Sequence, residues 1–239
     1  MTLAFVLRWR FWLVLSAAVF VLLAVLDRPA SALLGPSDCN SSAYSYFFSG
    51  QKSVWSPLVG SSAAGGYSYV INPNGLPQGS STAQQLIYGH KNWNQTNNDC
   101  GIGNQNNFDA VFNGENNVQA GAQDGINAVD FSTQDPPLGC SAGAIACTVD
   151  WAYVYSSGPN EIHEADMRFD LQYSWDDGQG PCILAYNEQS VATHEAGHAL
   201  GLGHVSDSTQ TMYSQSNFCD TSPQTIGSGD ILGMRSLYP

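Results

Sequence analysis

Residues 191–213 read VATHEAGHALGLGHVSDSTQTMY, and this stretch determines how the rest of the chain is interpreted. His194 and His198 are four residues apart, so on an α-helix both imidazoles leave the same face. Gly201 tolerates a positive φ, which lets a helix end there and lets the chain bring His204 back toward the first two histidines. Three protein ligands leave a fourth coordination position open, which is typical of catalytic rather than structural zinc.

Two further residues in this stretch have chemistry that suits such a site. Glu195 follows the first histidine and can accept a proton from a water at the metal. Met212 follows His204 by eight residues. A polar helix with satisfied histidines is the alternative, but three of the five histidines lie within eleven residues at ligand spacing. We therefore predict a zinc site formed by His194, His198 and His204, with Glu195 as the general base.

The string HEAGHALGLGH, followed by Met212, resembles the zinc site of the metzincin metalloproteases and, within them, the matrixins. Residues 164–170 (EADMRFD) resemble the last strand of that family, and residues 229–238 (GDILGMRSLY) resemble its C-terminal helix. The resemblance implies an α+β fold: a twisted mixed β-sheet with a peptide-binding edge strand, a long first helix, an active-site helix and a C-terminal helix. It also implies a zinc cleft between upper and lower subdomains, with Met212 as a floor beneath the imidazoles.

Composition limits the classes of partner. The 239 residues are enough for one domain with a short extension, and the formal net charge is −13. Phosphates would be repelled, so nucleic acid and anionic membranes are not expected as partners. We expect a monomer that acts on peptides or proteins.

The N-terminal residues 1–32 are typical of a signal peptide. Arg8 and Arg10 precede the uncharged run 11–26, and residues 30–32 (ASA) fit a cleavage site. A retained signal anchor is the alternative, which would tether the protein to a membrane instead of releasing it outside the cell. Residues 33–66 are predicted to be an irregular segment, and residues 67–239 the matrixin-like domain.

All six cysteines lie beyond residue 32, and an even number in an exported chain predicts disulfides. Six cysteines allow 15 pairings, and the sequence cannot choose among them. We expect Cys140–Cys147 to close a local loop and Cys182–Cys219 to join the segment before the active helix to the segment after the Met-turn. Cys39–Cys100 is then the remaining pair. A matrixin pro-segment caps the zinc with a cysteine. Cys39 lacks the flanking residues of that motif, so a disulfide is the preferred interpretation.

The hydrophobic pattern predicts the elements around the site. Strands are expected at residues 67–72, 125–131, 144–155 and 162–169, and an amphipathic helix at 81–94 with His90 on its solvated face. By the resemblance, strand 144–155 is the edge strand above the cleft. Asn187 is predicted to cap the active helix and Ser228 the last helix.

The chain departs from the matrixins where they bind a second, structural zinc. Arg168 stands where the family often has a histidine, and His163 is out of register, so no structural zinc of that type is expected. Asp166 and Asp170 remain as candidate calcium ligands.

The function predicted is a secreted zinc endopeptidase. The alternative is a zinc-binding surface or interaction protein on the same scaffold that has no catalytic activity. A third interpretation keeps the zinc hydrolysis but changes the substrate to a non-peptide bond.

Overall fold

The computed structural model describes residues 37–48, 50–55, 66–103, 107–134 and 137–239. The predicted signal peptide at 1–32 lies outside these ranges. Among the described residues, no helix combines the length and the apolarity that spanning a membrane requires.

A six-stranded sheet forms the centre of the domain, and five of its strands run parallel. The chain's strands are β1 (Ser45–Tyr46), β2 (Ser53–Trp55), β3 (Gly66–Ile71), β4 (Asp109–Glu115), β5 (Asn127–Ser132), β6 (Ala146–Tyr153), β7 (Asn160–Asp170), β8 (Trp175–Asp176), β9 (Tyr186–Asn187) and β10 (Leu202–Gly203). In the sheet, β3 lies between β4 and β5, and β7 pairs with both β5 and β2. Strand β6 pairs antiparallel with β7 and with no other described strand. The sequence pattern missed only β4 among the five longer strands of this sheet.

The described part of the chain contains three α-helices: α1 (Ser80–Asn94), α2 (Glu188–Ala199) and α3 (Ser228–Leu237). Helix α1 packs on α2 so closely that a Cβ added at Gly89 would lie 2.6 Å from the Cβ of Ala192. Its apolar face, with Leu86 and Trp93 fully buried, lies in the core shared with the sheet. This arrangement of a mixed sheet, a long first helix, an active helix and a C-terminal helix confirms the predicted α+β fold.

The prediction that His90 faces solvent was wrong. His90 is fully buried: its ring stacks on Tyr69 at a centroid distance of 3.9 Å, and its Nδ1 donates to the Leu86 carbonyl at 2.8 Å. The physical reason is the packing of α1, which is covered by the sheet on one side and by α2 on another. Helical periodicity alone reveals one buried face and cannot reveal a second.

The segment expected to be irregular contains two short strands within its described part. Strand β1 pairs antiparallel with β10, so that Ser45 lies opposite Gly203, and β2 joins the N-terminal end of β7. Both partners are more than 100 residues away along the chain, and local composition carries no signal for such pairings.

The structure contains the three predicted disulfides: Cys39–Cys100, Cys140–Cys147 and Cys182–Cys219. The sulfur of Cys39 is therefore bonded to that of Cys100.

The helix caps were predicted correctly at one site and wrongly at the other. Asn187 caps α2, because its side chain accepts a hydrogen bond from the Ser190 amide at 3.0 Å. Ser228 is not the cap of α3. Gly227 occupies that position, and the Ser228 hydroxyl instead donates to the Ser41 carbonyl of the N-terminal segment at 2.6 Å.

Candidate metal centre

Helix α2 carries two of the three predicted ligands, and a glycine turn brings the third. The helix ends at Ala199, and Gly201 follows with φ of +106°, a conformation that favours glycine. A second constraint acts at the same residue, since a Cβ there would lie 2.4 Å from the Ser53 carbonyl oxygen in β2. The chain then turns through β10, and His204 comes back over the face of the helix.

The three imidazoles converge through their Nε2 atoms. Nε2 of His198 lies 3.1 Å from that of His194 and 3.0 Å from that of His204, and the remaining pair is 3.2 Å apart. The Nδ1 atoms of the two helical histidines face backbone carbonyls: His194 that of Thr211 at 2.7 Å, and His198 that of Leu202 at 2.8 Å. Carbonyls only accept, so the proton is on Nδ1 and each of these two Nε2 atoms presents a lone pair.

The electrostatics favour the neutral form that a metal requires. Burial lowers the pKa of His194 to about 4, and the pKa of His198 lies well below its ordinary value for the same reason. Burial also lowers the pKa of His204, although this ring is the most exposed of the three. Lone pairs that converge to about 3 Å repel one another unless a cation lies between them.

The spacing of the three nitrogens fits zinc. A triangle with sides of 3.0–3.2 Å has a circumradius of about 1.8 Å, slightly less than the Zn–N bond of about 2.0–2.1 Å. A single point at bonding distance from all three nitrogens therefore exists, about 1 Å out of their plane. The donor set of three neutral imidazoles is one that zinc commonly takes in catalytic sites.

Glu195 lies between the histidines in sequence and is held by a strand of the sheet. Its carboxylate accepts a hydrogen bond of 2.7 Å from the Thr148 hydroxyl in β6. Burial raises the pKa of Glu195 to about 7, while the bond from Thr148 acts in the opposite direction. Thr148 could not be predicted as part of the site, because nothing in its local sequence pattern indicates a contact with a residue 47 positions away.

His194, Glu195 and His204 line an open cleft of about 610 Å³. On one side the cleft is bounded by residues 143–146, at the start of the edge strand β6, and by α2 residues including His194 and Glu195. On the other side it is bounded by residues 213–217 and by Ser222 and Pro223, which follow the turn at Met212. The start of β6 and helix α2 thus form one wall of the cleft, and the chain after Met212 forms the other.

Comparisons with known proteins agree with this geometry. Residues 149–239 match the model of the family described as Matrixin. This chain carries a matrixin-like domain of the metzincin type. Over 87 residues, this chain is 39% identical to matrilysin of Felis catus. The matched stretch covers 36% of this chain and 31% of that protein.

Two further relatives are also similar to this chain. Neutrophil collagenase of Homo sapiens is 37% identical over 80 residues, or 34% of this chain and 16% of that protein. Metalloendoproteinase 1-MMP of Arabidopsis thaliana is 31% identical over 121 residues, or 46% of this chain and 31% of that protein. The chain therefore spans less than a third of the length of these curated relatives. Matrixins are zinc metalloendopeptidases, and the three-histidine cluster of this matrixin-like domain fits their metal.

The Met-turn of the matrixin-like domain is held by a buried carboxylate. Met212 is almost fully buried, and its carbonyl accepts the Val205 amide at 2.9 Å. Asp230, at the start of α3, accepts the amide of Thr211 at 2.7 Å and that of Gly227 at 3.2 Å. Since the carbonyl of Thr211 faces the His194 ring, Asp230 supports this predicted ligand through the turn.

Arg168 does not lie open to a metal. Its guanidinium forms a buried ion pair with Asp130 at 2.7 Å and donates further bonds to Gln134 and to the Ala120 carbonyl. His163 stacks on Tyr153 of the edge strand, with ring centroids 4.3 Å apart. Both side chains therefore have partners in the protein.

The candidate calcium ligands Asp166 and Asp170 are buried and accept hydrogen bonds from backbone N–H groups. The two oxygens of Asp166 accept the amides of Ala128 and Gly121, and Asp170 accepts the amide of Gln172 at 2.8 Å. In the described part of the chain, neither carboxylate belongs to a cluster of three or more metal-ligating groups. Calcium binding stays a prediction, and these contacts give the two residues a structural role.

Proposed function

We propose that this protein is a zinc endopeptidase in which His194, His198 and His204 hold the metal and Glu195 is the general base. The observation that carries the proposal is the convergence of three imidazole Nε2 atoms within 3.2 Å of one another beside a buried carboxylate. Zinc bound there would supply Lewis acidity, which acidifies a water and polarises a carbonyl.

The remaining chemistry belongs to the chain. Glu195 takes the proton of the attacking water and returns it to the leaving amine. In the metal-free site, burial raises the pKa of Glu195 to about 7, so its carboxylate is a stronger base than that of an exposed glutamate. Burial of Glu195 also keeps bulk water from competing for the same oxygen.

The substrate would bind along β6. This strand pairs only with β7 among the described strands, so its outer edge can accept an extended peptide as one more strand. The cleft between residues 143–146 and the chain after Met212 would receive one substrate side chain. A backbone-paired, extended substrate favours a peptide bond as the target over a non-peptide bond.

The test combines metal analysis with matched variants. Purified protein, lacking residues 1–32, is expected to bind one zinc per chain and to cleave an unstructured protein such as casein. Glu195→Gln is expected to lower kcat by at least about a hundredfold while zinc content is kept. Glu188→Gln is the control, since Glu188 is buried on the same helix but bonds Thr82 of α1 and does not line the cleft.

Two outcomes decide between the functional alternatives. Cleavage that survives both a chelator and Glu195→Gln would overturn the assignment. Stoichiometric zinc without cleavage of any member of a peptide library would instead support the catalytically inactive binding protein.

Export is part of the proposal, together with cleavage after Ala32 and a domain spanning residues 67–239. Three disulfides support an oxidising compartment. N-terminal sequencing of protein recovered from the medium of a secreting host is expected to begin at Leu33. Protein found only in the membrane fraction would indicate the retained anchor.

A further inference from the structure

Thr148 connects the substrate strand to the general base. It lies in β6 opposite Met167 of β7, and its side chain is buried between the sheet and α2. Its Oγ1 is 2.7 Å from Oε2 of Glu195 and 3.1 Å from the main-chain oxygen of the same residue. One hydroxyl thus reaches both the side chain and the backbone of Glu195.

The bond to the carboxylate has the features of a strong hydrogen bond. Its acceptor is an ionisable group, its length is 2.7 Å, and both residues are at most 5% exposed. No other described side chain bonds to the Glu195 carboxylate. The carboxylate is therefore oriented from one side only, while Glu195 also lines the cleft.

We propose that Thr148 is a positioning residue for catalysis: its hydroxyl holds one carboxylate oxygen of Glu195 and so directs the other toward the cleft. The proposal rests on the proposed endopeptidase function. Because Thr148 belongs to the edge strand, the strand that would carry the substrate also sets the orientation of the base. Substrate and base are then positioned by one rigid element, which is where small displacements have the largest effect on rate.

The chain contains a matched contact that serves as a control. Thr82 in α1 donates to Oε1 of Glu188 at 3.0 Å, and both residues are fully buried. This pair also joins a threonine to a glutamate of α2, but at the beginning of the helix. Replacing either threonine by valine removes a hydroxyl and keeps the shape of the side chain.

The experiment compares Thr148→Val, Thr148→Ser and Thr82→Val in the zinc-loaded protein. Thr148→Val is expected to lower kcat about tenfold to a hundredfold with KM within about twofold and zinc content unchanged. Thr148→Ser keeps the hydroxyl and is expected to regain most of the rate. Thr82→Val is expected to keep kcat, even where its unfolding temperature falls. In the Glu195→Gln background, Thr148→Val should lower the residual rate no further.

Three outcomes would overturn the proposal. Wild-type kcat in Thr148→Val would show that the hydroxyl is dispensable. Failure of Thr148→Ser to restore the rate would show that packing is the cause. Absence of cleavage by the zinc-loaded wild type would remove the endopeptidase function itself, and the positioning role with it. If Thr148→Val does not fold, Thr148→Ala takes its place in the same comparison.

Discussion

Gly197 of the active helix faces Met212 of the Met-turn, and Gly197→Ala tests that contact. A Cβ at this position would lie 2.2 Å from Sδ of Met212 and 2.8 Å from Cζ2 of Trp93. Both neighbours are almost fully buried, so neither has free space to move into. The sulfur must shift, and with it the turn whose Thr211 carbonyl faces the His194 ring.

The magnitude follows from two opposing effects. Overpacking a well-filled core costs about 1–3 kcal/mol, and two contacts below 3.0 Å indicate the upper end of that range. Alanine is favoured over glycine inside a helix by about 1 kcal/mol. The net destabilisation should therefore be about 2 kcal/mol, or a fall in unfolding temperature of roughly 4–8 °C for a domain of this size. Displacement of the supporting turn should weaken zinc binding about tenfold or more.

The assay is thermal unfolding together with zinc affinity measured by chelator competition. Gly89→Ala is the matched control, because its Cβ would lie 2.6 Å from the Cβ of Ala192 in the contact between α1 and α2. This control should lose stability while the folded protein keeps its zinc affinity. If Gly197→Ala bound zinc as the wild type does, the inference that Met212 and its turn support the ligands would be refuted.

Three further predictions concern buried ionisable groups. Asp150→Asn should raise the free energy of urea unfolding by about 1–3 kcal/mol at pH 8 and by less at pH 5. Both Asp150 oxygens are buried without a hydrogen-bond partner. Burial, followed by the charge of Glu195, raises the Asp150 pKa well above its usual value. The folded form therefore loses stability as the pH rises. Asp230→Asn should destabilise the fold by about 1–3 kcal/mol and weaken zinc binding. Both carboxylate oxygens of Asp230 accept hydrogen bonds from backbone N–H groups, whereas an asparagine side chain has only one acceptor oxygen. Burial lowers the pKa of His90 to about 4. The free energy of unfolding should therefore decrease by up to about 3 kcal/mol as the pH falls from 6.5 to 4. His90→Gln should reduce this pH dependence in the same unfolding assay.

The parts of the site that the sequence predicts are those encoded over short distances. The ligand spacing of His194 and His198 follows from the helical repeat, the turn from Gly201, and the helix start from Asn187. Each of these features depends on residues within about one turn of itself. The edge strand could be predicted as a strand in the same way, but its place at the edge came from the family resemblance.

The features that escaped prediction depend on contacts between distant segments. Ser45 pairs opposite Gly203 and donates from its hydroxyl to the His204 carbonyl at 2.7 Å, although the two segments are more than 150 residues apart. Phe47 packs edge-on against the His198 ring, with centroids 5.3 Å apart. Local composition indicates only that this N-terminal segment is polar and aromatic. Its contacts with the turn that carries His204 arise from the tertiary fold.

The surroundings of Glu195 show a cost to stability at the centre of the site. Asp150 lies two residues from Thr148 on the same face of β6, and its unpartnered carboxyl adds a like charge near the base. A core built for stability alone would have an apolar residue in place of Asp150, since a buried carboxyl group without hydrogen bonds is costly. The protein retains Asp150 in β6 near Glu195 of α2, and three disulfides constrain the surrounding loops. If the Asp150→Asn variant gains stability and loses kcat, Asp150 serves the reaction at the expense of the fold; if it gains stability and keeps kcat, the acid has no part in catalysis.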